Sequence, residues 1–318
     1  VSQQTQTRTA GDVSVSRPVR GRARGSDKAR AEARLGWYLA GPAFVILVAV
    51  TGYPILQALY ESLFSYRLTA PADRAFVGLK NYGVILTDSL WWSALLNTAM
   101  ITVVTVAVEL VIGFALAMVM HKVLGWLRPI VRTAILIPYA VITVVSAYAW
   151  QYAFGLTTGF MNAVLGLDDF DVFANKWSAL AVICLSEIWK TTPFISLLLL
   201  AGLAQVPSDM TEAAKVDGAT AWERLWRVTL PNMKASIMVA LLFRALDAFR
   251  IFDNVYIMTN GAAGTETVSS LAYNQTISRL EIGLGSAVSV LLFVCVLAIC
   301  FIAIKVFKVD LARARGEG

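Results

Sequence analysis

The stretch TEAAKVDGATAWERLWRVTLP, Thr211 to Pro231, is polar, yet apolar runs long enough to cross a bilayer flank it on both sides. Its local chemistry predicts two short helices. Ser208 after Pro207 is set to cap the first, and Asp209 and Glu212 place acid in its first turn. Gly218 is a natural stop. Thr220-Ala-Trp-Glu223 then has the spacing of a capping box for the second helix. Trp222, Leu225, Trp226 and Thr229/Leu230 recur at i, i+3, i+4 and i+7/i+8 and make one apolar face, with Arg224 and Arg227 pointing away and Pro231 ending the helix. The first helix shows a different surface: Ala213, Ala214 and Ala219 beside Glu212, Lys215 and Asp217. Small side chains let another protein approach closely, and the charges can fix its orientation. An ordinary interfacial helix would need only the apolar stripe.

The chain around this module is greasy. Of its 318 residues 58% are hydrophobic and 15% charged, with a mean hydropathy of +0.66; a soluble domain carries about 25% charged residues. A helix must run for about 20 apolar residues to cross the hydrocarbon core. Six runs meet that test: residues 37–63, 95–120, 130–154, 178–203, 235–258 and 285–307. The predicted organisation is a basic tail over 1–34, a six-span domain over 35–308 with the polar module in its 205–234 loop, and a short tail over 309–318. The first tail has almost no large apolar side chain and is expected to be disordered. Its arginines suit anionic headgroups rather than nucleic acid. The apolar run that follows it exceeds a signal-peptide core, so it is read as a span.

Lys and Arg asymmetry orients the spans. Cations crowd the N-terminal tail (Arg8 to Arg34), the segment with Lys122, Arg128 and Arg132, the module with Lys215, Arg224, Arg227 and Lys234, and the C-terminus with Lys305, Lys308, Arg313 and Arg315. The opposite loops carry Arg67, Arg74, Lys80, Lys176 and Arg279. Both termini and the module are therefore expected on the cytoplasmic face of a cell-membrane protein. Cys184, Cys295 and Cys300 lie inside spans, and His121 is the sole histidine at a span end, so neither a disulfide framework nor a metal site is expected.

The module EAAKVDGATAWERLWRVTLP resembles the EAA loop of ABC importer permeases, through Glu212-Ala213-Ala214, Asp217-Gly218-Ala219 and Leu230-Pro231. The resemblance runs along nearly the whole chain after the tail. YPILQALYESLFSYRL with FVGLKNY, NTAMITVVTVAVELVIGFALAMVMHK, RTAILIPYAVITVVSAYAWQYAF and EIWKTTPFISLLLLAGLAQVP are similar to the first four spans of the carbohydrate branch. ALLFRALDAFRIFDNVY is especially near to its trehalose-importing members. The loop after the fifth span departs from the family, reading TNGAAGTET where Thr-Gly-Gly-Gly-Pro is common. The resemblance implies an all-α membrane fold, the ABC importer permease fold, with six transmembrane helices and a cytoplasmic coupling-helix pair. Glu212, Ala213, Ala214, Asp217, Gly218, Ala219 and Arg224 would then face an ATPase. It implies a second homologous permease, two ATPase subunits holding ATP and Mg, and an extracellular solute-binding protein, a lipoprotein, delivering sugar to loops 67–94, 155–177 and 259–284. The chain has no GxxxxGK[ST] or LSGGQ-like stretch, so no cofactor is assigned to it and ATP belongs to a partner.

Ionisable side chains inside a membrane are costly and usually face a cavity or each other. Here they are Glu109, Glu187, Lys190, Arg244, Asp247, Arg250 and Asp253. Alternating signs three residues apart along the fifth span suit a neutral polyhydroxylated ligand, which needs donors and acceptors without net charge. Phe249, Phe252 and Tyr256 interleave and offer faces for a sugar ring. Asp247, Arg250, Phe249, Asp253, Asn254, Arg244, Lys190 and Gln151 are the expected pathway residues, with Lys190 set to pair with Asp247. The competing reading makes the charges a structural network between helices, Glu109 above all. The functional expectation is a permease subunit for a disaccharide, trehalose by resemblance. The alternative is a proton-coupled secondary sugar carrier using the same carboxylates, although no internal repeat is apparent. A membrane-embedded enzyme would need a nucleophile–base or metal constellation, and the chain has no HExxH.

Overall fold

The computed structural model describes the backbone of residues 27–157, 159–166 and 170–307, and side chains from Arg34 to Lys305 within them. Residues 1–26 of the expected tail and the expected tail 309–318 lie outside the described residues. The chain divides into two units, Val1–Ile55 and Leu56–Gly318. The first holds the start of helix α1 (Asp27–Glu61), so residues 27–34, assigned by sequence to the tail, are already helical. Its apolar stretch has a mean hydropathy of 2.0.

Among its described residues the second unit is built of helices joined by loops, with one short hairpin, β1 (Phe64–Ser65) against β2 (Ala75–Phe76). Helices α2 (Lys80–Thr87) and α3 (Ser89–Lys122) follow, then α4 (Arg128–Ala140), α5 (Thr143–Ala153) and α6 (Phe160–Leu165). After α7 (Lys176–Leu203) come α8 (Ser208–Val216), α9 (Ala221–Arg224), α10 (Leu230–Asn232) and α11 (Lys234–Ala248). Helices α12 (Asp253–Met258), α13 (Val268–Tyr273) and α14 (Ile282–Phe307) close the chain. Among the described residues α1, α3, α7 and α14 are long and apolar enough to cross a membrane singly.

The other two expected spans are interrupted. The run 130–154 is α4 and α5, bent by 82°, because Val141 and Ile142 are extended (ψ 132° and 134°) just after Pro138. The run 235–258 is the 15-residue α11 followed by a break at 249–252 and the short α12. No glycine or proline lies between Lys234 and Asn260 to explain that break. A distant carboxylate explains it. Glu187 of α7 accepts from Arg244 of α11 through Oε1 (2.8 Å) and from Asn254 of α12 through Oε2 (2.5 Å). In one continuous helix residues 244 and 254 would stand ~15 Å apart along the axis, too far to share a carboxylate.

Helices α3 and α7 form the centre. Their N-termini are capped by Asp88, accepting from the Leu90 N–H (2.9 Å), and Asn175, accepting from the Trp177 N–H (2.9 Å). Lipid supplies no hydrophobic drive between helices, so close packing at small residues must do so. Gly113 meets that need: a β-carbon there would stand 2.8 Å from Ile195 Cγ2. One turn earlier on each helix, the same crossing brings Glu109 to the Thr191 hydroxyl (2.7 Å). Ala117, Ile195, Leu199, Leu203, Met233 and Ala240 make the core at the end where the polar module emerges. Ile101, Ala147, Ile183, Ile251 and Val255 belong to the core toward the other end.

Candidate functional site

Two places in the second unit combine chemistry with access. The first is a cavity of ≈ 240 Å³ where both interrupted spans meet. Tyr139 and Thr143 come from the α4–α5 bend, Glu187, Lys190 and Thr191 from α7, and Asp247 from the end of α11. Arg250, Ile251, Phe252, Asp253 and Asn254 come from the break and the start of α12. The lining is polar because the break removes helical hydrogen bonds and turns side chains into the opening. Arg250 and Asp247 are exposed, whereas Asn254 is 1% exposed. The Lys190 ammonium lies 5.6 Å from the Tyr139 ring centre. Phe252, Tyr256 and Tyr273 pack ring on ring at 5.0–5.2 Å beside it.

Under the cavity lies a buried ion cluster. Arg244, fully buried, meets Glu109 through Nε (2.5 Å) and Nη2 (3.0 Å), Glu187 through Nη2 (2.8 Å) and Asp247 through Nη1 (2.6 Å). Asp247 keeps 72% of its side chain exposed. Among the described residues no group of His, Cys, Asp or Glu is arranged to hold a metal ion.

The second place is the helical corner at Gly218. Helix α8 ends on Asp217, and Gly218 takes φ +78°, a conformation costly for residues with a β-carbon. Thr220 then caps α9 in a complete capping box: its Oγ1 accepts from the Glu223 N–H (3.3 Å) while Glu223 Oε2 accepts from the Thr220 N–H (2.8 Å). The Thr220 N–H and then the Thr220 hydroxyl, which also donates to Oε2 (2.9 Å), hold the Glu223 carboxyl below the usual carboxylate range. Arg224 folds back so that Nη1 donates to Ala219 O (2.5 Å), closing the corner. A cavity of ≈ 470 Å³ separates the corner from the ends of α3 and α7, with Glu212, Lys215, Arg224 and Leu225 on one wall and His121, Lys122 and Leu203 on the other.

Residues 109–309 match the family described as binding-protein-dependent transport system inner membrane component. The chain belongs to this family. It is 52% identical over 277 residues to the trehalose transport system permease protein SugA of Mycobacterium tuberculosis, covering 87% of this chain and 90% of that one. It is 35% identical over 280 residues to the trehalose/maltose transport system permease protein MalF of Thermococcus litoralis, covering 86% and 94%. A solved chain of a bacterial ABC transporter involved in import of the acidic polysaccharide alginate has the same fold, at a TM-score of 0.75 and 19% identity over 88% and 97% of the two chains. The protein is thus a membrane-embedded permease, a transport component and not an enzyme.

The permease brings together most of the residues that sequence singled out for the pathway, and separates three. Asp247, Arg250, Asp253, Asn254 and Lys190 all line the cavity. Arg244 lies beneath it, fully buried. Phe249 is 5% exposed and outside the lining, because α11 ends at Ala248 and turns that ring into the protein. Gln151 donates to the carbonyls of Ile257 (2.9 Å) and Met258 (3.3 Å), tying α5 to the end of α12. The expected Lys190–Asp247 pair is not formed among the described residues; Arg244, one helical turn away, takes Asp247 instead. Because the helix breaks, the alternating charges 244–253 do not form one helical stripe.

The corner needs smaller corrections. The cap of α8 is Pro207, extended at ψ 130°, and Ser208 is the first helical residue, its hydroxyl donating to Asp209 Oδ1 (3.2 Å). Pro231 does not end the second helix: a π turn over Leu225–Thr229 passes into α10, and the freed backbone tolerates a residue without an N–H. The apolar stripe also splits. Leu225 and Thr229 line the cavity, while Trp222 and Trp226 pack edge to face and stay exposed. Sequence reading passed over Tyr139, Thr143 and Thr191, and Val216, 87% exposed on α8. Pro138 beside Tyr139 was the one local signal available.

Proposed function

We propose that this permease forms one half of the membrane pathway of an ATP-driven importer of a disaccharide, with trehalose the best assignment. The single observation that supports this most is the cavity at the two interrupted spans, where acceptors, donors and aromatic faces converge, with the carboxylates of Glu187, Asp247 and Asp253 largely offset by Lys190 and Arg250. At ≈ 240 Å³ it is smaller than the ~300–1,000 Å³ that encloses a drug-sized ligand. A second, homologous permease completes it. The names of the trehalose-transporting relatives support the substrate class.

In this reading the termini and the Gly218 corner face the cytoplasm. Two ATPase subunits holding ATP and Mg dock on Glu212, Ala213, Ala214, Asp217, Ala219 and the exposed Val216. A solute-binding protein, anchored as a lipoprotein, delivers sugar to the opposite loops. Closure of the ATPase pair shifts the corner, and the spans alternate between two arrangements. Asp247 and Asn254 accept from sugar hydroxyls, Arg250 and Lys190 donate, and Phe252 offers a ring face.

The test is uptake by the complete complex in proteoliposomes carrying Asp247→Asn or Arg250→Gln. Both variants should assemble and hydrolyse ATP and should lose most sugar uptake. Normal transport in both, or failure only through loss of assembly, refutes the pathway assignment. Uptake driven by a proton gradient without ATP would install the secondary-carrier reading.

A further inference from the structure

Arg244 and Glu109 touch no part of the cavity, yet they hold most of its acceptor wall. The Arg244 fork spends two contacts on Glu109 and its remaining ones on Glu187 and Asp247, which both line the cavity. A structural ion pair would need the Glu109 contacts alone. Glu109 is anchored in turn by the Thr191 hydroxyl (2.7 Å), so its carboxylate cannot rotate freely behind the guanidinium.

The consequence reaches Asn254. A carboxylate only accepts, so Glu187 Oε2 requires the NH2 end of the Asn254 amide (2.5 Å). The amide orientation is thereby fixed, and Asn254 Oδ1 is left as a buried acceptor with no partner in the protein. Such an atom is costly to bury unless something donates to it. Asp247 has one oxygen on Arg244 and a largely exposed side chain. The wall therefore holds two oriented acceptors for a ligand rich in hydroxyl donors: Asp247, open to the cavity, and Asn254 Oδ1, closed off in this conformation and reached only as the cavity widens.

We propose that Glu109 and Arg244 are a buried positioning pair that sets the spacing of the Asp247 and Asn254 acceptors and so retains the sugar in the pathway during each cycle. This inference rests on the pathway reading of the cavity. The pair fixes three elements at once, since Glu187, Asp247 and Asn254 stand on α7, α11 and α12.

The experiment is sugar imported per ATP hydrolysed by the complete complex in proteoliposomes, with radiolabelled trehalose and its binding protein. That ratio does not depend on how much complex assembles, which is what a merely structural role would change. Glu109→Gln, nearly isosteric, is expected to keep stimulated hydrolysis within two-fold and to lower the ratio ten-fold or more. Arg244→Lys keeps the charge but not the fork, and is expected to lower the ratio likewise; it serves where Glu109→Gln fails to assemble. An unchanged ratio in both variants, or in the one that assembles, overturns the proposal. Asn254→Ala separates the two readings: if it abolishes uptake while Glu109→Gln is silent, the pathway stands and the positioning pair falls. If Asn254→Ala and Asp247→Asn both import normally, the pathway reading itself has failed.

Discussion

Gly218 offers a test in which backbone conformation and side-chain size make opposite predictions. Its φ is +78° and a β-carbon built there meets nothing within 4 Å in this chain. Any cost of substitution within the permease is therefore conformational. For an ordinary L-residue the left-handed region costs about 1–2 kcal/mol. The more restricted unfolded chain returns about 0.4–1 kcal/mol of this. Gly218→Ala should then weaken the corner by about 1 kcal/mol net, a several-fold shift toward a distorted corner given ten-fold per ~1.4 kcal/mol. Asparagine tolerates this region and should cost less; valine, β-branched, should cost most. Asn and Val have similar bulk, so the pair isolates conformation. In proteoliposomes holding the full complex, sugar imported per ATP should fall in the order Gly, Asn, Ala, Val, while ATPase retention in pull-downs follows the same order. Equal damage from Asn and Val would refute the reasoning. It would mean that Gly218 is needed because a partner comes close, and that its left-handed backbone is incidental.

Two further perturbations follow from the packing. Gly113→Ala places a methyl 2.8 Å from Ile195 Cγ2 and should lower the stability of the purified permease by about 1–3 kcal/mol; adding Ile195→Ala, which removes that Cγ2, should recover part of the loss in thermal melts, and strict additivity would refute the contact. Arg244→Met strands Glu109 and Glu187 without their cation and should cost about 3–5 kcal/mol, read as loss of membrane-inserted protein; combining it with Glu109→Gln should restore part of that amount, and no recovery would argue that the pair is not the stabilising contact.

What was legible in the sequence was local. The capping box at Thr220 and Glu223 and the turn at Gly218 are decided within a few residues, and both form as the spacing implies. The long apolar helices were legible for the same reason, since bilayer thickness sets their length. Ser208 was misplaced by one position because Pro207 already holds the extended backbone a cap requires. The break at 249–252 was not legible at all. Its cause is Glu187, which lies 57 residues before Arg244 in sequence and meets it only once α7 and α11 are packed. Hydropathy sees 235–258 as one run, and no proline or glycine contradicts it. The same blindness put Phe249 among the expected pathway residues and left Thr143 out, because which side faces the cavity depends on where the helix ends; Thr191, inside the unbroken α7, lines the cavity with no local signal to mark it.

The break also bears on how movement at the corner could reach the cavity. Non-helical backbone at membrane depth survives only when buried in protein or facing a cavity, and both interrupted spans satisfy that rule by facing the same one. Arg244 and Glu187 tie α3, α7, α11 and α12 to one another through charged contacts of 2.5–3.0 Å. Separating α3, α7 or α11 would leave a buried ion without its partner, at several kcal/mol, and separating α12 would take the Asn254 amide from the Glu187 carboxylate, so the four are expected to move as a block. The corner is rooted in that block at both ends: α7 runs into α8 through Leu203, α11 begins after Met233, and those two residues share one core cluster with Leu199 and Ala240. A displacement applied at Gly218 would therefore be carried by α7 and α11 together. The α4–α5 segment reaches the cavity through Tyr139 and Thr143 but takes no part in the Arg244 cluster. Gln151 ties α5 to α12 through two carbonyls, so an opening at that surface would break neutral hydrogen bonds but no buried ion pair.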